Sequence, residues 1–350
     1  MNETKLYELL GKAVQEWSAA ESAPLGYIGD KLGLYRALDG AGPLTSQELA
    51  DRTGTYERYV REWLNNQAAG GWIEYDATDG TYQLSDEAAE LWAHEKSPFF
   101  LAGAWELVAS IWADADRVAD AFRSGSGIGW GEHDHRLYRG VQRIYAPLYR
   151  GSLVKEWIPS LDGVEAKLRS GALVADVGCG YGISTVILAQ AYPRSTFVGF
   201  DVHAGSIEAA EKAAADAGVA DRVRFEVADA SSFGGTGYHL VCFFDALHDM
   251  GDPVGALTHT RTTLAEDGTV LVVEPHAGDR VEENLNPVSR LYYAGSTFLC
   301  TPSSLAQPGA LGLGAQAGPE RLTQVATQAG FTRCRATVGT PFNLVLEVRP

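Results

Sequence analysis

Apolar residues in the first part of the chain, residues 1–95, recur with the spacing of helices and then of two short strands. Apolar positions three and four apart share one face of a helix, whereas alternating positions share one face of a strand. The spacing predicts helices over Glu3–Ala20, Pro24–Leu38, Ser46–Arg52 and Tyr56–Ala69, and strands over Trp72–Tyr75 and Thr81–Leu84. Thr45 and Glu48 form a capping-box pair before the third helix, and Asp79-Gly80 suits a hairpin turn. The order predicts a mainly helical winged-helix domain.

The last part of the chain, residues 165–350, alternates strand-length apolar runs with helical patterns. Such alternation is typical of an α/β domain with a largely parallel sheet. The predicted strands are Ala172–Val177, Ser195–Phe200, Val223–Val227, Leu240–Phe244 and Thr269–Val273, with a final hairpin of Thr332–Val338 and Asn343–Arg349. The final hairpin predicts a terminal antiparallel strand. Residues 96–164 are aromatic and mostly helical, with a kink or boundary near Pro147, and we predict that they connect the two domains and wall a pocket.

Three glycines at alternate positions follow the first strand of this sheet. Gly178, Gly180 and Gly182 precede a predicted helix, Ile183–Ala191. Glycine lacks the Cβ that would hold a ligand away from the backbone, and a helix N-terminus offers free N–H groups. A dinucleotide fingerprint requires its third glycine at position 183, which is isoleucine, so the spacing disfavours that ligand class. An ordinary tight turn is the plain alternative.

The segment from Asp176 to Gly182, Asp-Val-Gly-Cys-Gly-Tyr-Gly, resembles motif I of the class I S-adenosylmethionine-dependent methyltransferases. The resemblance implies a Rossmann-like methyltransferase sheet and S-adenosylmethionine as the cofactor. Asp201 closes the second strand, where an acid is placed to accept the ribose hydroxyls. The cofactor-binding residues that follow from these positions and from the resemblance are Asp176, Gly178, Gly180, Gly182, Asp201, Asp229, Ala230 and Asp245, with Asp229 and Ala230 at the adenine ring.

The segment Leu247–Asp252, Leu-His-Asp-Met-Gly-Asp, resembles the Leu-His-Asp-Trp-x-Asp motif of small-molecule O-methyltransferases of the caffeate and bacterial polyketide types. Those enzymes also carry an N-terminal winged helix used for dimerisation. The resemblance implies methyl transfer to a hydroxyl, with His248 as general base and Glu274 orienting it. Met250 replaces the family's tryptophan, which leaves the substrate open. In the alternative, His248 only caps a helix or supports the site, and the enzyme acts by proximity on oxygen, carbon, nitrogen or sulfur.

A metal-dependent mechanism is disfavoured by the sequence. Asp245 could bind a metal ion as in catechol-type methyltransferases, but these need an Asp-Asn pair after the fifth strand, where this chain has Glu274-Pro275-His276. We therefore expect no catalytic metal. Aromatic residues before the glycine turn are candidate contacts for a small-molecule substrate, with plain helix packing as the alternative for each: Trp130, Tyr138, Tyr145 and Tyr149.

Charge limits the partners of the chain. The formal net charge is −17, and residues 1–95 contain seven Lys and Arg against seventeen Asp and Glu. Nucleic acid is bound chiefly through Lys and Arg, so we expect no nucleic-acid partner and interpret the winged helix as a homodimerisation or substrate-cover module. A winged-helix regulator that senses a ligand without catalysis is the remaining alternative. No apolar run approaches a membrane span, and the four cysteines show no close pairing, so we expect a cytoplasmic protein without a membrane partner.

Overall fold

The computed structural model describes all 350 residues, which divide into two compact units. The first unit comprises residues 1–112 and 139–147, and the second comprises residues 113–138 and 148–350. The predicted connector, residues 96–164, contributes to both units. The boundaries that we placed at residues 95 and 164 stay a prediction.

The first unit is mainly helical and contains one small hairpin. Its helices are α1 (Glu3–Leu32), α2 (Leu34–Leu38), α3 (Ser46–Thr53), α4 (Glu57–Ala69), α5 (Asp86–Trp92) and α6 (Gly103–Ala113), and its strands are β1 (Glu74–Asp76) and β2 (Thr81–Gln83). The strands pair antiparallel, and a bridge from Leu44 to Tyr82 extends the pairing. The predicted capping box of Thr45 and Glu48 is present at the start of α3. These elements confirm the predicted winged helix.

The predicted break between two helices near residue 24 is wrong, because α1 continues through Pro24 and ends only at Gly33. Gly33 has a φ of 72°, which a side chain would strain. Within α1, a Cβ at Gly26 would lie 2.5 Å from the Trp105 ring, and one at Gly29 would lie 2.6 Å from Trp63. Tertiary packing of these indoles onto the helix therefore outweighs the cost of the missing proline N–H.

A buried ionic cluster joins distant segments of the first unit. Arg143 belongs to α8 (Arg136–Leu148), which follows α7 (Ala115–Ser124) in the chain. Its guanidinium donates to both carboxylate oxygens of Asp30 at 2.6 and 3.0 Å, and to Glu106 at 3.1 Å. All three side chains are at most 8% exposed. Water cannot reach these charges to solvate them, so they stabilise one another. Their pairing therefore holds α1, α6 and α8 together.

The second unit is built on a seven-stranded sheet. Its strands are β3 (Leu173–Val177), β4 (Thr196–Asp201), β5 (Val223–Val227), β6 (Tyr238–Phe244), β7 (Leu264–Pro275), β8 (Arg333–Gly339) and β9 (Asn343–Arg349). The spatial order is β5-β4-β3-β6-β7-β9-β8, and β9 alone runs antiparallel to the other six strands. The chain order reverses between β3 and β6, which is the switch point where ligands bind in open α/β sheets. The predicted fold class is confirmed.

Helices cover the sheet and follow its loops. They are α9 (Val164–Ser170), α10 (Ile183–Ala191), α11 (Ala204–Asp216), α12 (Pro253–Thr263), α13 (Pro287–Gly295), α14 (Thr301–Leu305) and α15 (Gly318–Gln328). π-Helices span Tyr149–Trp157 and Ser296–Cys300. The predicted boundary near Pro147 is confirmed, because α8 gives way to the first π-helix there. The helical segment that begins at Pro287 continues to Leu305. No helix is both long enough and apolar enough to span a membrane.

Candidate active site

The glycine turn lies between β3 and α10, and its three glycines have different surroundings. All three have positive φ angles: 77° at Gly178, 52° at Gly180 and 73° at Gly182. A Cβ at the first would lie 2.6 Å from Ala246, and a Cβ at the third would lie 2.7 Å from Phe225. A Cβ at Gly180 would meet no atom within 4 Å. The outer glycines therefore permit close packing, whereas the middle one presents its backbone to open space.

Asp176 lies at the base of this turn and is 1% exposed. Its Oδ2 accepts hydrogen bonds from the hydroxyls of Ser184 and Thr185 at 2.7 and 2.6 Å, which ties β3 to the first turn of α10. Its Oδ1 is buried without a partner. Burial raises the pKa of Asp176 to about 6, against the opposing effect of the two hydroxyls.

Asp201 ends β4 beside the same turn. Its Oδ2 accepts from the N–H of Gly180 at 2.9 Å, and its Oδ1 accepts from the N–H of His203 at 2.9 Å. Burial raises the pKa of this carboxyl, and the two backbone donors oppose the shift. The acid is thus held next to the one glycine that faces open space. This is the position where an acid binds ribose hydroxyls in related sheets.

The loop after β5 starts next to Asp201. The N–H of Ala228 donates to the carbonyl of Asp201 at 3.0 Å. The carboxylate of Asp229 is exposed and accepts from the N–H and hydroxyl of Ser231 at 2.8 and 2.6 Å. Ala230 packs against the sheet core. The structure therefore brings Asp229 and Ala230 to the sheet edge that carries Asp201, and their adenine contact stays a prediction.

His248 and Glu274 meet at the ends of two neighbouring strands. His248 lies in a single 3₁₀ turn, Leu247–Asp249, after β6, and Glu274 lies near the end of β7. One carboxylate oxygen of Glu274 accepts from the Leu247 N–H at 3.0 Å, and the other bonds His248 Nδ1. Both side chains are buried, at 3% and 2% exposure. Because a carboxylate only accepts, Nδ1 carries a proton and Nε2 is the nitrogen left for chemistry.

The Nε2 atom of His248 has two reactive neighbours. Asp249 Oδ1 lies 3.1 Å away as an ion pair, and the Cys300 thiol adjoins both. Burial disfavours a charged imidazole, but the carboxylates of Glu274 and Asp249 outweigh it, so the pKa of His248 is raised well above its ordinary value. Burial also raises the pKa of Cys300 to about 12. The two carboxylates therefore favour the protonated form of His248.

Asp245 follows β6 directly and links it to β7 and β9 by hydrogen bonds. Its backbone has a φ of 50°, an uncommon angle for a residue with a side chain, and its N–H donates to Val273. Its carboxylate accepts from the Tyr149 hydroxyl at 3.3 Å and from the Asn343 amide at 3.2 Å. Burial, reinforced by the charge of Glu274, raises the pKa of Asp245 well above its usual range. The candidate substrate contact Tyr149 thus holds a site acid.

The other aromatic candidates are divided between the two units. Tyr138 stacks on the His203 ring at 4.8 Å between centroids and on Tyr181 of the glycine turn at 6.5 Å. Its hydroxyl donates to the carbonyl of Trp130 at 3.0 Å. These residues belong to the second unit and adjoin the Asp201 loop, whereas Tyr145 belongs to the first unit. Substrate contact stays a prediction for all four.

Sequence reasoning missed three groups of this site. Asn343, which is fully buried, bonds Asp245, and an amide residue directly before the apolar run Leu344–Leu346 was its available signal. Asp249 was quoted in the motif without a role. Cys300 lies 52 positions after His248 in the chain, and no sequence pattern marked it.

The residues present fit S-adenosylmethionine. Gly180 leaves open space at the helix N-terminus, Asp201 supplies fixed carboxylate oxygens beside it, and Asp176 keeps one buried oxygen without a partner. An acid at this position can accept the ribose hydroxyls of the cofactor's adenosyl part, and the open backbone beside it lets a ligand approach closely.

Comparison with protein-family models matches two segments of the chain. Residues 20–93 match the Rv2258c-like winged HTH domain, and residues 168–330 match a methyltransferase domain. An uncharacterized protein of Synechococcus sp. is 32% identical over 98 residues. That match covers 27% of this chain and 23% of the other protein, so the chain spans less than two thirds of that relative.

Solved structures share the fold over the whole chain. The mitomycin 7-O-methyltransferase MmcR has a TM-score of 0.73 at 18% identity, with both chains fully covered. Human N-acetylserotonin methyltransferase in complex with SAM has a TM-score of 0.68 at 16% identity, covering 98% of this chain and 97% of that one. Identities this low establish the fold. Together with the two family matches, they show a methyltransferase domain joined to an N-terminal winged-helix domain, in a fold shared with these enzymes.

Proposed function

We propose that the protein methylates a hydroxyl group of a small molecule, with His248 as general base and Glu274 as the residue that orients it. The buried bond between Glu274 and His248 Nδ1 carries this proposal. It fixes the ring so that Nε2 is the only nitrogen able to accept a proton. Bound S-adenosylmethionine supplies an electrophilic methyl group on a sulfonium centre.

The residues of the chain have separate tasks in this reaction. Asp201 and the backbone at Gly180 hold the adenosyl part of the cofactor, and Asp176 and Asp245 complete its pocket. The acceptor hydroxyl would take the place of Asp249 beside Nε2 and give its proton to His248, while the methyl group would pass from the sulfonium sulfur to the acceptor oxygen and leave the sulfur as a neutral thioether. Glu274 then stabilises the imidazolium. A base that is positioned in this way contributes to the rate in addition to alignment of the reactants.

One observation favours the second candidate, a methyltransferase that acts by proximity alone. Asp249 lies 3.1 Å from Nε2, so the nitrogen is engaged in an ion pair before any substrate arrives. In that case His248 would be structural, and the acceptor atom would be open to carbon, nitrogen or sulfur. Substitution of His248 distinguishes the two candidates.

We also propose that the protein forms a homodimer through α1. Six apolar side chains of this helix are between 44% and 69% exposed: Leu6, Tyr7, Leu9, Leu10, Val14 and Trp17. A continuous apolar patch of this kind is typical of an interaction surface. The absence of a nucleic-acid partner and the cytoplasmic location stay predictions from composition.

Replacing Asp201 by alanine should weaken S-adenosylmethionine binding by roughly 1–3 kcal/mol, because the ribose hydroxyls lose their partner. Isothermal titration calorimetry measures the effect. Asp221→Ala removes an exposed acid just before β5, at the opposite end of the strands from the site, and should leave the affinity unchanged. Equal affinity of Asp201→Ala and the wild type would show that the ligand or the turn is wrongly assigned.

Replacing His248 by alanine should lower kcat on a hydroxyl substrate by roughly 10²–10⁴, the usual contribution of a general base. Glu274→Gln should lower it less, because the imidazole stays in place without its charged partner. Cofactor affinity should change little, and the exposed His135→Ala serves as the control. Near-normal turnover of His248→Ala, measured by product formation, would favour proximity alone.

The rate should rise with pH and reach half its maximum well above pH 6.5, because only neutral imidazole accepts a proton and the pKa of His248 is raised. Glu274, Asp249, Asp245, the Tyr292 hydroxyl and the Cys300 thiol are titratable groups that interact with the ring. Asp249→Asn removes one carboxylate and should shift the rising limb of the kcat profile to lower pH.

Asp252→Asn is the control for that profile, because it removes the same charge from an exposed helix cap and an amide retains the capping oxygen. If Asp249→Asn does not shift the pH profile of kcat, the role of this carboxylate in raising the pKa of His248 is contradicted.

Light scattering should give the mass of a dimer at micromolar concentration. We expect the dimer interface to bury more than about 1,200 Å² in total. The double substitution Leu10→Glu with Val14→Glu should produce monomers, because it buries charge in the interface. Phe122→Glu, which alters a side chain of similar exposure on α7, should remain dimeric. A monomeric wild type would remove this proposal.

A further inference from the structure

His248, Asp249 and Cys300 bring together three different metal-binding atoms. The imidazole Nε2, a carboxylate oxygen and the thiol sulfur all lie within 4.8 Å of one another. Tetrahedral zinc, with bonds of about 2.0–2.3 Å, needs its ligand atoms about 3.5 Å apart. Small side-chain rotations are therefore enough to close this group around one ion.

Two further contacts of the group are those of a metal site. Glu274 binds Nδ1 and so directs the lone pair of Nε2 toward Asp249 and Cys300, which is the carboxylate–histidine arrangement that orients zinc ligands. Asp249 Oδ1 is buried and faces Nε2 at 3.1 Å. A buried carboxylate oxygen is stabilised by a cation, which compensates the charge where water is excluded.

The position of Cys300 in the chain fits such a site. It is the last residue of the π-helix Ser296–Cys300, which separates α13 from α14. The wider turn of a π-helix changes which side chains face inward, and such segments are frequent at functional sites. The other cysteine of intermediate burial, Cys334, contacts a threonine hydroxyl and packs against the apolar core.

We propose that His248, Asp249 and Cys300 form a binding site for one zinc ion, with a fourth position open to water. The set of one nitrogen, one oxygen and one sulfur ligand suits zinc, which accepts all three. On binding, the thiol loses its proton to solvent, as does Nε2 when the ring is charged, and the two side chains bind as thiolate and neutral nitrogen. Zinc at this site occupies the nitrogen that a general base needs.

Inhibition by zinc follows from the proposed function and rests on it, whereas binding of zinc does not. While the ion holds Nε2, the acceptor hydroxyl has no base, so turnover stops reversibly. The sequence disfavours a catalytic metal ion at Asp245. The site proposed here is a different one, because its zinc ion inhibits the reaction.

Cobalt substitution in the full-length protein tests the site directly. After removal of metals with a chelator, Co²⁺ should bind at one ion per chain and produce a thiolate-to-cobalt charge-transfer band, which Zn²⁺ then abolishes. Cys300→Ser should lose the band, and Asp249→Asn should keep it with weaker binding. Glu274→Gln should weaken binding about 10–100-fold through the loss of ligand orientation.

Cys334→Ser is the matched control and should behave as the wild type. Circular dichroism confirms that each variant is folded, and Asp249→Asn tests the site independently if Cys300→Ser does not fold. Absence of the band in the wild type, or an unchanged band in Cys300→Ser, overturns the proposal.

Turnover measured with zinc separates this proposal from the proposed function. Both proposals are supported if zinc abolishes the cobalt band and inhibits the wild type more strongly than Cys300→Ser. Inhibition is measured for each protein relative to its own rate without zinc. Zinc that binds without slowing turnover supports the site and contradicts His248 as base. Failure to bind metal, with an inactive His248→Ala variant, overturns the site and leaves the base assignment standing.

Discussion

The carboxylate of Glu274 is the constraint on which the reactive edge of the sheet depends. Its two oxygens bind consecutive residues, the Leu247 N–H and the His248 ring, so a side chain of β7 fixes the loop that follows β6. The Asp245 N–H reinforces the same junction from the other strand through Val273. Backbone and ring are therefore held by one group, and the direction of Nε2 is set by the sheet rather than by a flexible loop.

Several buried acids share this edge, because each parallel strand ends there with a polar residue. Burial raises the pKa of Asp176, Asp201 and Asp245, since each carboxylate loses contact with water. Backbone donors and hydroxyls offset part of that cost. A sulfonium cofactor brings positive charge to the same region, which would favour the ionised form of these groups. The acidic edge and the cationic ligand are therefore electrostatically matched.

Sequence patterns predicted the fold well where the signal was local. Apolar runs and glycine spacing predicted the strands and the turn, and the positions of Asp201 and Glu274 at strand ends followed from the chain order. The break predicted near Pro24 was wrong because the indoles of Trp63 and Trp105, distant in sequence, stabilise an unbroken helix. Cys300 and Asn343 could not be linked to His248 and Asp245, because contacts between residues so far apart leave no periodic pattern in a single sequence.

The route of the chain between the two units determines when the first of them can be completed during synthesis. Asp30 and Glu106 are buried with Arg143, and 113 positions separate Arg143 from Asp30. Until residues 139–147 have left the ribosome, the nascent first unit lacks the buried guanidinium that both acids share, and Asp30 has only the half-exposed Arg36 beside it, so the two acids cannot be buried at low cost. Residues 113–138, which belong to the second unit, are made in the meantime. Folding of the N-terminal unit is thus delayed until well after its first hundred or so residues have emerged.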